Sequence, residues 1–153
     1  MNLNTVSKRH RPAHVLLVED NLGDVVLTRR AFEEAKIANH LHVAMTGEDA
    51  ISMLRKEGEW ADLGTPDLVL LDLNLPQMCG QDVLKIIKET PELKHLPVVI
   101  LSSSCAERDV AKSYDLHANG YVVKPVNLEN FNEIVQKLED FWFTIVVMPD
   151  SQM

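Results

Sequence analysis

Five short apolar runs, separated by longer amphipathic stretches, constrain the fold of this 153-residue chain more than any other feature. A strand that is apolar on both faces suits a parallel sheet, because helices cover such a sheet above and below. A regular alternation of strand and helix therefore predicts an α/β domain with a doubly wound sheet. The runs are Val15–Val18, Leu41–Ala44, Asp67–Leu71, Val98–Leu101 and Tyr121–Val123.

The stretches between and after these runs carry apolar residues at helical spacing. Right-handed crossovers between parallel strands leave few possible strand orders, and we expect the flavodoxin-like order 2-1-3-4-5 with five helices. The last helix is the clearest, since Asn127 is placed to cap it. The residues predicted to face inward include Val26, Leu27, Phe32 and Ala35 in the first helix, Val110, Ala111 and Tyr114 in the fourth, and Leu128, Phe131, Val135, Leu138 and Trp142 in the last.

The composition excludes several classes of protein. Acidic residues outnumber basic ones 23 to 15, for a net charge of -8, whereas a nucleic-acid-binding domain needs clustered cations to neutralise phosphates. No apolar stretch approaches the ~18 residues of a membrane-spanning helix, and the N-terminus lacks the apolar core of a signal peptide. We therefore expect a cytoplasmic protein with no nucleic-acid or membrane partner. Cys79 and Cys105 lack metal-binding or disulfide spacing and are expected to be reduced thiols.

Polar residues follow four of the five predicted strands, at the edge of the sheet where α/β proteins bind their ligands. Glu19 and Asp20 end the first strand and Asp72 ends the third, and these two strands are neighbours in the expected order. Ser102 ends the fourth strand, and Lys124 ends the fifth. Two carboxylates ~5 Å apart at an effective dielectric constant of ~20 repel by about 3 kcal/mol, so three together require a proton or a cation. Ligand atoms that are all oxygen favour Mg²⁺.

Four motifs, in order along the chain, carry a resemblance to a known family. With them the chain resembles the receiver domain of a two-component response regulator over most of its length, from about residue 14 to residue 138. The motifs are LLVED (Leu16–Asp20), LLDLNLP (Leu70–Pro76), VILSS (Val99–Ser103) and YVVKP (Tyr121–Pro125).

This resemblance implies a reaction and a metal site. Asp72 would accept a phosphoryl group from a histidine kinase. Mg²⁺ would be held by Glu19, Asp20, Asp72 and the backbone carbonyl of Asn74. A carboxylate can attack phosphorus when a metal ion and a lysine offset the charge of the incoming group. The chain would then be a signalling protein and not an enzyme in the usual sense, since it would catalyse only its own phosphorylation and dephosphorylation.

The resemblance also assigns three residues around the phosphoacceptor. Ser102 would hydrogen-bond a phosphoryl oxygen, Lys124 would pair with its charge, and Tyr121 would be the switch aromatic that turns inward on phosphorylation. A half-buried strand aromatic is the plainer interpretation of Tyr121. The family often has Asp-Gly where this chain has Cys79-Gly80, so the glycine matches and the acid does not. We interpret that position as a turn without a catalytic role.

The C-terminal segment carries three consecutive aromatic residues, Phe141, Trp142 and Phe143. So apolar a segment predicts either packing back onto its own domain or a partner surface, most simply a homodimer through the last helix and the C-terminal segment. The expected organisation is a flexible segment over residues 1–12, a receiver domain over 13–142 and a dimer-associated extension over 143–153.

The LDLNLP motif, the long loop before Asp67 and the terminal aromatic segment resemble stand-alone response regulators that partner bacterial and cyanobacterial phytochromes. That branch implies a phytochrome-type sensor histidine kinase as phosphodonor, a receiver dimer and signalling by protein contact. Two alternatives stay open: a receiver-like interaction module that is not phosphorylated, and a phosphohydrolase with an aspartate nucleophile. The second is disfavoured because such enzymes usually carry another acid two residues after the nucleophile, where this chain has Asn74.

Overall fold

A computed structural model describes residues 12–35, 38–103, 107–124, 127 and 129–137 of the chain. Within these ranges five parallel strands form one sheet in the order β2-β1-β3-β4-β5. The strands are β1 Ala13–Val18, β2 Asn39–Ala44, β3 Leu68–Leu71, β4 Val98–Ser102 and β5 Gly120–Val123. The strand order predicted from the apolar runs is confirmed.

Five helices accompany the sheet, as expected. They are α1 Leu22–Glu33, α2 Gly47–Leu54, α3 Gly80–Glu89, α4 Glu107–Asp115 and the helical residues 129–137, named α5 here. Side-chain oxygens cap the first turn of α1, α2 and α5, where backbone N–H groups lack partners within the helix. The capping bonds run from Asp24 N to Asn21 Oδ1 (3.0 Å), from Asp49 N to Thr46 Oγ1 (3.0 Å) and from Asn130 N to Asn127 Oδ1 (2.7 Å).

The sheet separates two apolar clusters, one on each face. Helices α2 and α3 cover one face, where Val83 and Ile87 are fully buried against the strands. Helices α1 and α5 cover the other face, where Phe32 and Phe131 belong to the same buried cluster. Strands β3 and β4 are buried along their whole length. This burial explains why their sequences are continuously apolar up to Ser102 at the end of β4, instead of alternating.

As predicted, Leu27 and Phe32 of α1 and Ala35 just after it pack against the core, but Val26 does not. Val26 is 58% exposed, whereas Val25, Thr28 and Phe32 point inward. A polar residue can occupy this face because the Thr28 hydroxyl donates a hydrogen bond of 2.7 Å to the Asp24 carbonyl and so leaves no unsatisfied group in the core. The expectation for Tyr114 in α4 was also wrong, since its side chain is 50% exposed while the neighbouring small Ser113 is buried.

Several predictions concern residues outside the described ranges. Residues 1–11 and 138–153 are among these, so the N-terminal segment, the C-terminal extension and the aromatic trio Phe141, Trp142 and Phe143 stay predictions. The same holds for Cys105 and Leu128. In the part of the chain that is described, none of the helices is both long enough and apolar enough to cross a membrane.

Candidate functional site

The register of the sheet brings the ends of β1 and β3 to the same level. Val18 pairs with Leu71, and the Asp72 N–H donates a hydrogen bond of 3.0 Å to the Val18 carbonyl. The residues that follow these strands therefore leave the sheet side by side. Glu19 and Asp72 are 1% and 6% exposed, which is unusual for carboxylates and makes their surroundings decisive.

Three carboxylates converge at this point, as the strand order predicts. One oxygen from each of Glu19, Asp20 and Asp72 lies within 4.8 Å of the other two, with Asp20 on the solvent side. The second oxygen of Glu19, Oε2, is buried and accepts no hydrogen bond from the described residues. A buried carboxylate oxygen without a partner is costly, and a hard divalent cation among three oxygen ligands would satisfy it. The donor set therefore fits a metal such as Mg²⁺.

Lys124 supplies the positive charge of the site. Its backbone N–H donates a hydrogen bond of 2.7 Å to the Ser102 carbonyl, which extends the pairing of β5 with β4 beyond the strand end. Its ammonium group donates to Glu19, to Asp24 Oδ2 at 2.8 Å and to Asp72 Oδ2 at 3.4 Å. The three donors of the ammonium thus reach three different carboxylates, and the side chain is only 9% exposed.

Asp24 has no counterpart among the site residues predicted from sequence. It lies in the first turn of α1, and this turn begins at the same edge of the sheet because only Asp20 and Asn21 separate Glu19 from the helix. The spacing of Asp24 from the acid pair, one helical turn further along the chain, is the signal that could have identified it. Its side chain is 35% exposed, so it is the most solvated of the carboxylates that contact Lys124.

The electrostatics of the site follow from this crowding. Burial, together with the neighbouring Asp72 carboxyl, raises the pKa of Glu19 from 4.5 to about 9. Burial would lower the pKa of Lys124, but its hydrogen bonds to Asp24 and Glu19 outweigh that effect and raise it. Burial likewise opposes ionisation of Asp24, yet the bond from Lys124 lowers the pKa of Asp24. Without a metal ion, Glu19 therefore holds a proton at neutral pH.

Mg²⁺ binding at pH 7 should release about one proton per site, because the ion displaces the proton from Glu19. Between pH 4.5 and about 9 the metal-free folded chain binds more protons than the unfolded chain, so its free energy of unfolding should fall as the pH rises. Calorimetry of Mg²⁺ binding in buffers with different ionisation enthalpies measures the released protons. The Glu19→Gln variant is the matched control and should release none; equal release by both chains would contradict the assignment.

Asn74 links the end of β3 to the end of β4. Its backbone N–H donates a hydrogen bond of 3.0 Å to Asp72 Oδ1, which orients the carboxylate. Its side-chain amide donates to Ser103 Oγ at 3.1 Å and, at the longer distance of 3.4 Å, to Ser102 Oγ. Ser102 is fully buried, whereas Ser103 is exposed and was not among the predicted site residues. Asn74 therefore links the predicted hydroxyl of Ser102 to the predicted phosphoacceptor.

The two remaining predicted positions lie at the periphery of the site. Tyr121 is half-buried in β5 and packs against the α2–α3 side of the core. Cys79 is exposed, precedes α3 and donates a weak hydrogen bond of 3.3 Å to Asp82 Oδ2.

Gly80 allows α3 to begin directly against the residue that carries the central carboxylate. Its N–H donates a hydrogen bond of 3.0 Å to the Leu73 carbonyl. A Cβ atom on Gly80 would lie 2.2 Å from the Asp72 carbonyl oxygen and 2.7 Å from Leu73 Cα. Only glycine fits this close approach of two backbone segments.

Fold and site together define a signalling receiver, in which acids at the ends of two neighbouring strands face a lysine from the fifth strand. Residues 15–136 match the family described as the response regulator receiver domain. The chain belongs to this family.

Known relatives agree with the fold and with the expected branch. Response regulator Rcp1 of Synechocystis sp. is 41% identical over 138 residues, which cover 90% of this chain and 94% of Rcp1. The phosphorylated cyanobacterial phytochrome response regulator RcpA superposes with a TM-score of 0.80 at 43% identity, over 86% of this chain and 94% of RcpA. The Mn²⁺-bound form of Rcp1 superposes with a TM-score of 0.79 at 41% identity, over 88% of this chain and 97% of that structure. The resemblance to phytochrome response regulators is thus confirmed.

Proposed function

We propose that the chain is a single-domain response regulator that accepts a phosphoryl group from a histidine kinase onto Asp72, in a Mg²⁺-dependent phosphorelay downstream of a phytochrome-type sensor. It acts in the cytoplasm through protein contacts. The observation that carries this proposal is the buried Asp72 carboxylate, which contacts the Lys124 ammonium and clusters with two further acids. The phosphorylated structure of RcpA and the Mn²⁺-bound structure of Rcp1 support it.

The chain's own residues prepare Asp72 for the attack on phosphorus. The Asn74 N–H donates to Oδ1 and the Lys124 ammonium donates to Oδ2, so both oxygens of the nucleophile are oriented by hydrogen bonds. In phosphotransfer, an oxygen of Asp72 forms the new bond to phosphorus while the bond to the kinase histidine breaks. A bound divalent cation would offset the negative charge of the three carboxylates and of the incoming group.

Lys124 can serve the phosphorylated state because one of its partners is easily released. The half-exposed Asp24 carboxylate returns to water at little cost when the ammonium turns towards a phosphoryl oxygen, whereas Glu19 is fully buried. Asn74 connects the Ser102 hydroxyl to Asp72, because its side-chain amide donates to Ser102 Oγ while its backbone N–H donates to Asp72 Oδ1. We propose that Ser102 hydrogen-bonds the phosphoryl group and that Tyr121 in β5 moves with this rearrangement.

The test of the proposal is phosphoryl uptake by the intact protein. The chain is incubated with acetyl phosphate and either Mg²⁺ or a chelator, and its mass is measured before the labile acyl phosphate hydrolyses. We expect one phosphoryl group per chain with Mg²⁺ and none with the chelator. Phosphotransfer from purified phytochrome-type kinases then tests the proposed donor. An unmodified chain in the presence of Mg²⁺ would favour the alternative of an unphosphorylated interaction module.

A phosphohydrolase is the weaker alternative. The position two residues after Asp72 carries the Asn74 amide, which donates hydrogen bonds to Ser102 and Ser103. An amide in this place cannot act as the general acid that such an enzyme requires. The chain is therefore proposed to turn over only its own phosphoryl group.

Removal of the residues after Asp140 should convert a homodimer into a monomer. The proposed interface is the last helix and the C-terminal extension, because Phe141, Trp142 and Phe143 form the most aromatic stretch of the sequence. Light scattering of the truncated chain and of Trp142→Ala should give a lower mass than that of the full chain. Deletion of residues 1–11 is the control and should leave the ratio of the measured mass to the mass of one chain unchanged. The same number of chains per particle in all four proteins would contradict the proposed interface.

A further inference from the structure

Three of the six histidines lie together at the edge of the sheet opposite the carboxylate site. His14 lies near the start of β1 and pairs in register with His40 of β2. Side chains alternate along a strand, so His40 and His42 lie on the same face of β2, and His14 lies on that face of β1. We name His14, His40 and His42 the histidine cluster.

The imidazoles of this cluster point their nitrogen atoms at one another. His14 Nδ1 lies 3.3 Å from His42 Nε2, and the two rings are tilted by only 11° with their centroids 5.6 Å apart. A proton shared in a hydrogen bond satisfies both nitrogens in the absence of any ligand. Two imidazole nitrogens bound to one tetrahedral Zn²⁺, each at about 2.0–2.1 Å, are separated by about 3.3–3.4 Å. The observed spacing therefore matches that of two zinc ligands.

A third imidazole lies next to this pair. The His40 ring stacks on His14, with centroids 5.1 Å apart and an interplanar angle of 24°. In this stacked position its lone pairs do not point between the other two nitrogens, so it must rotate about its side-chain bonds to bind the same ion. His40 is exposed, and no core packing opposes that rotation.

The surroundings of His42 favour the neutral, ligating form of the ring. The side chain is half-buried beside Met53 and Leu54 of α2, and the loop residues Leu63, Gly64 and Pro66 complete this apolar wall. Burial, followed by the neighbouring His14 and His40, lowers the pKa of His42. On the other side, His40 and His42 line an open cleft of about 290 Å³ together with Arg29 and Glu33, which provides access from solvent.

We propose that His14, His40 and His42 bind a divalent transition-metal ion of the Zn²⁺ class, with water as the fourth ligand. Imidazole nitrogens suit Zn²⁺, Ni²⁺ and Cu²⁺, whereas the oxygen-only site at the other end of the sheet suits Mg²⁺ and Mn²⁺. The two sites therefore select different ions. This proposal does not depend on the proposed phosphotransfer.

The test is a calorimetric titration of the full chain with Zn²⁺ in saturating Mg²⁺, which occupies the carboxylate site. We expect one Zn²⁺ per chain, and Co²⁺ in its place should give the intense visible absorption of tetrahedral coordination. His42→Gln and His40→Gln should each weaken binding by about tenfold or more, whereas the matched control His95→Gln, an exposed histidine outside the cluster, should bind like the parent chain.

Two results would overturn the proposal. One is the absence of Zn²⁺ binding in the presence of Mg²⁺, which would mean that the His14–His42 pair only shares a proton. The other is equal Zn²⁺ affinity in the parent chain and in every folded cluster variant, which would place the ion elsewhere. Circular dichroism establishes whether each variant is folded. The exposed position of His40 keeps the test decisive if His42→Gln fails to fold.

Discussion

The Asp72→Asn variant should gain no phosphoryl group under conditions in which the parent chain gains one. The amide has the shape of the carboxylate and can still accept the hydrogen bond from the Asn74 N–H, but its oxygen is a far weaker nucleophile. The measurement is the intact mass after incubation with acetyl phosphate and Mg²⁺.

Asp49→Asn is the matched control for this experiment. Asp49 is exposed in the first turn of α2 and contributes only its backbone N–H to the Thr46 cap. The control should therefore take up one phosphoryl group, as the parent chain does. If the mass of Asp72→Asn still increased by one phosphoryl group, the phosphoacceptor would be another residue, and the proposed function would need a different site.

Gly80→Ala should lower the free energy of unfolding by about 3 kcal/mol or more. The added methyl group would lie 2.2 Å from the Asp72 carbonyl oxygen and 2.7 Å from Leu73 Cα. Both obstacles are backbone atoms, which cannot turn aside as a side chain would. The helix start can retreat only by stretching the hydrogen bond from Gly80 N to the Leu73 carbonyl. Urea denaturation, read from the midpoint at constant slope, measures the loss.

Gly64→Ala is the matched control, because the space around Gly64 accommodates a methyl group. No atom lies within 4 Å of a Cβ placed on Gly64, so we expect a change of no more than about 1 kcal/mol, in the stabilising direction. The difference between the two variants isolates the steric term from the general effect of adding a methyl group. Equal stability of Gly80→Ala and the parent chain would refute the close approach of α3 to the Asp72 backbone.

The fold could be predicted because its strands are buried on both faces. Successive side chains of β3 and β4 point to opposite faces of the sheet, and both faces are covered by helices. Residues such as Val69 and Ile100 are therefore fully buried, and the apolar runs that contain them have no polar interruption. The ends of such runs then locate the site residues, which is why the sequence alone predicts Glu19, Asp72 and Lys124 at one edge of the sheet.

Helix faces and side-chain partners were harder to predict. The predicted inward face of α1 wrongly included Val26 and omitted Thr28, because hydropathy treats Thr28 as polar although its hydroxyl bonds the Asp24 carbonyl and enters the core. Asp24 and Ser103 were missed for a related reason. Asp24 belongs to the site because it accepts a hydrogen bond from the Lys124 ammonium, and Ser103 because it accepts one from the Asn74 amide. Such contacts between residues far apart in the chain leave no periodic pattern in the sequence.

Strand β1 joins two sites of opposite chemistry, with Glu19 just after its end and His14 near its start. At ~3.3 Å per residue the five intervening steps span about 17 Å, roughly twice the screening length of ~8 Å at physiological ionic strength. Two unit charges at that distance in water interact by only about 0.2 kcal/mol even before screening. Phosphorylation at one end would therefore leave the metal affinity at the other end almost unchanged. The domain could thus carry two inputs whose effects add without cross-talk.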